Sequence, residues 1–448
     1  MTQRVGFKIG CIGDAPRGTD TSRLSLPGGN THSRARMDAA RLLTERLAAH
    51  LPDHLEFLRE MVGINSYTGN AEGVNQLARV TADRFSRLGF VPALVPHRDP
   101  SCGHHLVATR PGKSSRTIAL ISHLDTVFPP EEEARNDFHW LPEGDRIYGP
   151  GTTDIKGGTA MMHLVLSSLR ESDPDAFEAV TWKLLWNSSE ETLSQHFAEV
   201  ARDQLDPAST LAALVFEAEG WPQGRPALVV ARKGRATFRV TVEGRGSHAG
   251  AKHPRGANAI TQLGRLVDRI AEITDYSRHR TVNVGVIHGG VAVNRVPHLA
   301  IADVEMRAFS REAYQEGVNA LLALNGPGDV RSPVDGHPCQ VRVEILAESP
   351  PWPRNPGTDR LFAIWKSTAD ELGRPLDAEE RGGLSDGNWI CDQYPTLDGL
   401  GPHGDNDHCS ERSADGSKLP EYIHVPSIVP KAVLNVMALR KLITTAAD

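Results

Sequence analysis

The chain is poor in cysteine, and its cysteines are badly spaced for cross-linking. Cys11, Cys102, Cys339, Cys391 and Cys409 are spread over 448 residues, and no C-x-x-C occurs. An odd number at wide spacing argues against a disulfide framework or a thiolate zinc site. Long apolar runs are also missing: none approaches the roughly 20 residues that a spanning helix needs. Near the N-terminus, Val5, Phe7, Ile9 and Ile12 are split by Lys8, Gly and Asp. No continuous apolar region of signal-peptide length results. The net charge is −7 and no long Lys/Arg block exists, which argues against a nucleic-acid partner. No internal repeat or low-complexity tract breaks the core. A cytoplasmic globular protein, with no membrane or nucleic-acid partner, is therefore expected.

What is present points to two domains. An apolar share of 39% with 23% charged residues is a globular composition, and 448 residues are too many for one compact core. Residues 1–36 are rich in Gly, Ser, Thr and Arg, lack periodicity, and predict a disordered extension. Met37, which opens a helical stretch, is an alternative start. Leu42, Leu43, Leu47, Leu51, Leu55, Leu58 and Met61 carry helical spacing through 38–62, and a second helix is predicted over 72–88. A short apolar strand over 117–122 ends at His123, and a helix is predicted from Gly157 to Leu169. A strand over 180–186 stops just before Glu190–Glu191, and the run 211–216 ends at Glu217. Polar candidates thus follow strand C-termini, where open α/β sheets bind ligands.

Residues 235–347 read differently. Phe238, Val240 and Val242 alternate with polar residues, as do Val282, Val284 and Val286, then Ala302, Val304 and Met306, and finally Val341, Val343 and Ile345. Helices fit 257–273 and 311–324. The order β-α-β-β-α-β predicts a ferredoxin-like sandwich. It reads as an insertion, because α/β patterning resumes with helices at 357–372 and 428–444 after the break at Pro350–Pro351–Trp352–Pro353. The expected boundaries are an extension over 1–36, a first catalytic part over 37–230, the insert over 231–347, and a second catalytic part over 348–448.

The chemistry concentrates in a few short segments. His123 and Asp125 form H-x-D: the histidine suits a metal, and the aspartate suits the ring's other nitrogen. Asp154 lies between Gly149-Pro150-Gly151 and Gly157-Gly158, where glycines allow close approach and a carboxylate can bridge two cations. Taken alone, each reads more simply as a polar loop or a turn. Glu190 and Glu191 are adjacent, so their side chains diverge: one can bind metal while the other serves a water as general base. As a bare pair they are a solvated helix start. Glu217 is a ligand or a helix cap. In the loop from Gly401 to Ser410, both His403 and His408 are open as ligands. An imidazole, a lone aspartate and adjacent glutamates suit two borderline divalent cations with a water between them.

Taken together, these motifs resemble the zinc metallopeptidase and aminoacylase family of glutamate carboxypeptidase, acetylornithine deacetylase and succinyl-diaminopimelate desuccinylase. The resemblance runs from about residue 40 to the C-terminus. It rests on H-L-D-T-V at 123–127, G-P-G-x-x-D-x-K-G-G at 149–158, E-E at 190–191 and the Glu217 segment. It continues with S-H-A-G-x-x-x-P-x-G-x-N-A-I at 247–260, G-G-x-x-x-N-x-V-P at 289–297, G-G-L-S-D-G at 382–387 and G-x-G-P at 399–402.

The resemblance implies an α/β fold: a three-layer αβα catalytic domain with an inserted ferredoxin-like lid and dimerisation domain. It implies two Zn²⁺, with Co²⁺ or Mn²⁺ as substitutes. His123 and Glu217 would bind one ion, Glu191 and His408 the other, and Asp154 would bridge. Glu190 would be base and then acid, and Asp125 would orient His123. His248 would reach the partner's active site in a homodimer and stabilise the oxyanion. Asn294, Arg307, Gly383 and Ser385 would contact substrate, Arg307 through a carboxylate. A cis peptide is implied at Asp154–Ile155.

Three features depart from the family. Thr192–Leu193–Ser194–Gln195 replace a Gly-containing turn, the chain between His408 and Glu421 is longer, and residues 1–36 have no counterpart. The implied activity is hydrolysis of an amide in a dipeptide, peptide C-terminus or N-acyl amino acid. The alternatives are an acetylornithine deacetylase-like deacylase and a non-catalytic metal-binding scaffold.

Overall fold

The structure, a computed structural model, describes residues 29–192 and 195–445, with side chains from residue 38 onward. Among these residues a six-stranded mixed sheet forms the centre. Thr117–His123 is buried along its whole length and pairs in parallel with Thr181–Asn187 on one side and Thr210–Val215 on the other. Its side chains alternate between two cores. Ile118 and Leu120 pack with the helices Gly29–Val62, Lys156–Ser172 and Val425–Thr445. Ala119 and Ile121 pack with Phe197 and Ala201 of Gln195–Gln204 and with Ile390. Burial on both faces explains the unbroken apolar run and makes three layers.

The hairpin Val91–Val95 and His105–Arg110, which sequence patterning did not single out, completes the sheet as an antiparallel edge. The first helix starts at Gly29, eight residues ahead of Met37. The expected extension is corrected to that extent, because residues 29–36 continue a helix driven by the apolar spacing further along. Residues 1–28, and the departure at Leu193–Ser194, lie outside the described residues.

The insert follows the expected order. Gly234–Glu243, Ala259–Ala271, Thr281–Gly289, Leu299–Ala308, Arg311–Leu322 and Pro338–Ser349 supply the β-α-β-β-α-β frame. All strand pairs are antiparallel. Asn258 and Ser310 cap the two helices, accepting from Thr261 and Ala313 N–H at 3.1 Å each. One extra edge strand, Gly326–Arg331, is present; its Gly326-Pro327-Gly328 start hides it from strand propensity. The two chain crossings into and out of the insert are clipped together. Arg232 N–H donates to Trp352 O at 2.9 Å, and Trp352 N–H returns to Arg232 O at 3.0 Å.

Candidate active site

Strand ends deliver most of the site. His123 closes the strand Thr117–His123, Thr181–Asn187 leads into the tight turn Glu190–Thr192, and Thr210–Val215 leads to Glu217. Asp154 comes from the loop before Lys156–Ser172, and its peptide to Ile155 is cis. Buried Glu421 holds that loop: its carboxylate accepts from Thr153 N–H at 2.7 Å and Asp154 N–H at 2.9 Å. His408 stands on a loop between Gly404–Asp405 and Tyr422–His424. Asn406 and His408 have φ of 62° and 63°, so two non-glycine residues there occupy the left-handed region.

Asp154 is the centre. His123 Nε2 lies 2.9 Å from its Oδ1 and 3.8 Å from Glu217 Oε1. His408 Nε2 lies 3.2 Å from Asp154 Oδ2 and 3.3 Å from Glu191 Oε2. Two donor sets thus share one carboxylate, each with one imidazole and one glutamate. His123 Nδ1 sits 3.0 Å from the Asp125 carbonyl. A carbonyl only accepts, so Nδ1 carries a proton; Nε2 faces the centre, where it donates to Asp154 in the cation-free protein and would offer its lone pair to a cation. The Asp125 carboxylate, 3.5 Å from the same nitrogen, has another task. It accepts from Glu190 N–H at 3.0 Å, Glu191 N–H at 3.2 Å and the Thr68 hydroxyl at 2.6 Å, and so holds the Glu190–Glu191 turn.

The charges are crowded. Burial pushes the carboxyls of Glu190 and Glu217 well above the usual carboxylate range, and Glu191 up to about 7. Asp154 is held low despite its burial, because His123 and His408 both bond to it. Asp154 and Glu191 in turn raise His408 to about 11. Burial opposes the charged form of His123, yet Asp125 and Asp154 outweigh it and raise that ring. Buried carboxylates that resist ionisation mark a site short of positive charge. Glu191 Oε1 is also buried with no hydrogen-bond partner. Mixed imidazole and carboxylate donors with an orphaned oxygen fit divalent cations on either side of Asp154.

A cavity of about 830 Å³ opens over this centre, with Glu190 on its wall. Arg307 and Gly383 line it. Arg307 Nη1 donates to Gly382 O at 2.8 Å, and its Nε pairs with Glu305. Ser385 is buried, its hydroxyl donates to Asp398 at 2.9 Å, and it is not part of the cavity wall. His248 and Asn294 are exposed on the insert and also lie outside this wall; His248 Nδ1 accepts from Gly250 and Ala251 N–H. His403 lines the cavity, stacked on Trp221 at 4.6 Å, apart from both donor sets. The long loop after His408 is tied away, with Arg412 on Glu143 and Tyr148; among the described residues none of 409–421 lines the cavity.

Residue patterns missed three wall arginines: Arg232, Arg235 and Arg381. Arg232 is buried, pairs with Asp398 at 2.8 Å, and donates to the carbonyls of Gly383 and Leu384. Its only sequence signal is a charge at the end of the apolar run 227–231.

Known proteins match this arrangement. The model of peptidase family M20/M25/M40 matches residues 119–426. Carboxypeptidase G2 of Pseudomonas sp. (strain RS-16) is 27% identical over 378 residues, covering 84% of this chain and 88% of that protein. Acetylornithine deacetylase of Klebsiella pneumoniae (strain 342) is 28% identical over 321 residues, covering 65% of this chain and 79% of that protein. Among solved structures, aminopeptidase PepT of Bacillus cereus ATCC 10987 superposes with a TM-score of 0.69 at 22% identity, covering 89% of this chain and 98% of that one. That likeness supports the fold: a catalytic domain carrying an insert. The matched segment includes every donor around Asp154, and this chain belongs to peptidase family M20/M25/M40.

Proposed function

We propose that this enzyme hydrolyses an amide bond beside a free carboxylate, with two zinc ions held around Asp154. His123 and Glu217 complete one site, and Glu191 and His408 the other. One observation carries the reading: the two oxygens of Asp154 face separate imidazoles, at 2.9 and 3.2 Å, each backed by its own glutamate. Such cations polarise a carbonyl oxygen and acidify water when bound, and cobalt or manganese would serve in place of zinc.

The chain's own groups do the rest. Glu190 removes a proton from the attacking water and delivers it to the leaving nitrogen. Asp125 aims His123 through its carbonyl and fixes the glutamate turn through its carboxylate. Arg307 binds the substrate carboxylate, with Gly383 beside it. His248 and Asn294, remote from this cavity, serve the partner's cavity in a homodimer. Light scattering checks that assignment, and a strict monomer removes it. The intact Glu190 and complete donors disfavour the scaffold reading.

Substrates are small: a dipeptide, a peptide C-terminus or an N-acyl amino acid. Arg307 on the cavity wall, paired with Glu305 in the free protein, is the group offered to a substrate carboxylate. The relatives named carboxypeptidase and acetylornithine deacetylase support a peptidase first and a deacylase second. The free described cysteines suit the reducing cytoplasm. A hydrolysis panel of dipeptides and N-acyl amino acids on zinc-loaded protein identifies the class. In that panel Glu190→Gln lowers turnover by roughly 10²–10⁴-fold with zinc content unchanged; a wild-type rate overturns the mechanism.

A further inference from the structure

A second group of imidazoles lies behind the glutamate turn and takes no part in the chemistry above. His97 follows the strand Val91–Val95, His105 opens His105–Arg110, and His196 lies in the first turn of Gln195–Gln204. Their ring centroids form a triangle with sides of 5.1, 5.2 and 5.0 Å. One nitrogen from each ring lies within 4.8 Å of the others. His105 is fully buried; His97 and His196 are half-buried, so the cluster is reachable from solvent.

We propose that His97, His105 and His196 form a separate, all-imidazole site for one divalent cation of the zinc class.

Distance supports this. Zinc–nitrogen bonds of about 2.0–2.1 Å in a tetrahedron place two ligand nitrogens about 3.3 Å apart. His105 Nε2 and His196 Nδ1 stand at 3.0 Å. His97, on a loop, need close by at most about 1.5 Å to match that spacing. Acceptors for the second ring nitrogens stand nearby. A ligating histidine donates its other N–H to a nearby acceptor. In the structure both Nδ1 atoms accept from backbone, His97 from Asp99 N–H at 2.9 Å and His105 from Ser188 N–H at 3.1 Å; on loading each would turn its proton to the Asp99 carbonyl or the Ser188 hydroxyl, both at 3.2 Å. The Ser188 hydroxyl donates to Gly103 O at 2.7 Å, which leaves its lone pairs free to accept.

Without a cation the rings take the other tautomer. His105 Nδ1 then accepts from Ser188 N–H, and Nε2–H donates to His196. Burial, followed by the neighbouring histidines, pushes His105 down to about 3, which keeps its lone pairs available. Three neutral nitrogens without a carboxylate favour zinc, nickel or copper and disfavour calcium or magnesium. The open fourth position takes a water. Ser189, which precedes Glu190, bonds His97 Nε2 at 3.1 Å; loading exchanges that bond for one to the cation.

The test is metal stoichiometry on the full chain. After equilibrium dialysis against zinc, wild type binds one more ion per chain than His196→Gln. Because the comparison is a difference, it holds whatever the Asp154 centre retains. His97→Asn, a loop change, carries the same test if His196→Gln does not fold. Copper loading supplies the second readout. Each donor set at Asp154 holds a single imidazole, so a three-nitrogen pattern in the electron paramagnetic resonance spectrum comes from this cluster alone. The pattern is expected in wild type and lost in either variant. Equal zinc contents, or a copper spectrum that neither substitution alters, overturns the site.

Discussion

The two halves of the Asp154 centre share one carboxylate and differ in almost everything else. The His123 ring is 1% exposed; it ends a fully buried strand, and a carbonyl two residues away sets its tautomer. The His408 side chain is 54% exposed and sits on a left-handed loop residue, where it pairs with Asp154 and Glu191. One imidazole belongs to the core and the other is added from outside. Substitutions on the buried side should therefore report on folding as well as on metal, and those on the exposed side on metal alone.

The strongest way to break that contrast is to remove each histidine in turn. In zinc-free protein, His123→Ala leaves buried carboxylates without their cation and costs about 3 kcal/mol in denaturant unfolding. His408→Ala costs less than about 1 kcal/mol, because its ring is solvated. On zinc loading, His408→Ala lacks one ion by elemental analysis. Equal stability losses for the two variants would refute the contrast.

Asp125→Asn tests whether the carboxylate works on the glutamate turn or on His123. The backbone carbonyl that aims His123 is untouched, so the zinc content stays at the wild-type value. The turn loses a charged acceptor for two N–H groups and a hydroxyl, and kcat falls roughly 10–100-fold. Zinc loss without a change in kcat of the loaded protein would reverse the assignment.

The smallest effect concerns acid sensitivity behind the buried half. His163, on the helix that follows Asp154, is pushed down from 6.5 to about 2, by burial first and then by His54. Below pH 6.5 the unfolded chain protonates this ring and the folded chain does not. The unfolded state then binds more protons, so stability falls as pH falls, by about 1.4 kcal/mol per pH unit. His105, also lowered by burial, adds a slope of the same sign; urea melts between pH 6 and 5 should show the combined slope, and His163→Gln should reduce it by about 1.4 kcal/mol per pH unit. An unchanged slope in the variant would assign the acid sensitivity elsewhere.

Much of this was legible in residue order. The strand ends before His123, Glu190 and Glu217 lie where apolar runs stop, because a strand buried on both faces tolerates few polar residues until it leaves the core. The alternation in 235–347 predicted the inserted frame for the complementary reason: one face of that sheet packs on helices and the other does not. The edge strand Gly326–Arg331 escaped, since its glycines and proline oppose strand propensity and only its pairing with Pro338–Ser349 makes it a strand.

Side-chain partnerships across long separations were not legible. Ser385 sits inside a binding-like motif, yet it spends its hydroxyl on Asp398. Arg232 enters the cavity wall because Asp398, 166 positions away, compensates its charge. His97, His105 and His196 share no motif and meet only because a hairpin and a helix flank the same strand end.

The sequence by itself determined which groups stand at the sheet's ligand-binding end, since periodicity and strand termini are local properties. The tertiary structure alone decided how those groups divide their work. It set Asp154 between two imidazoles and turned the Asp125 carboxylate toward the glutamate turn. Those outcomes depend on distances of a few ångströms between segments that no local pattern relates.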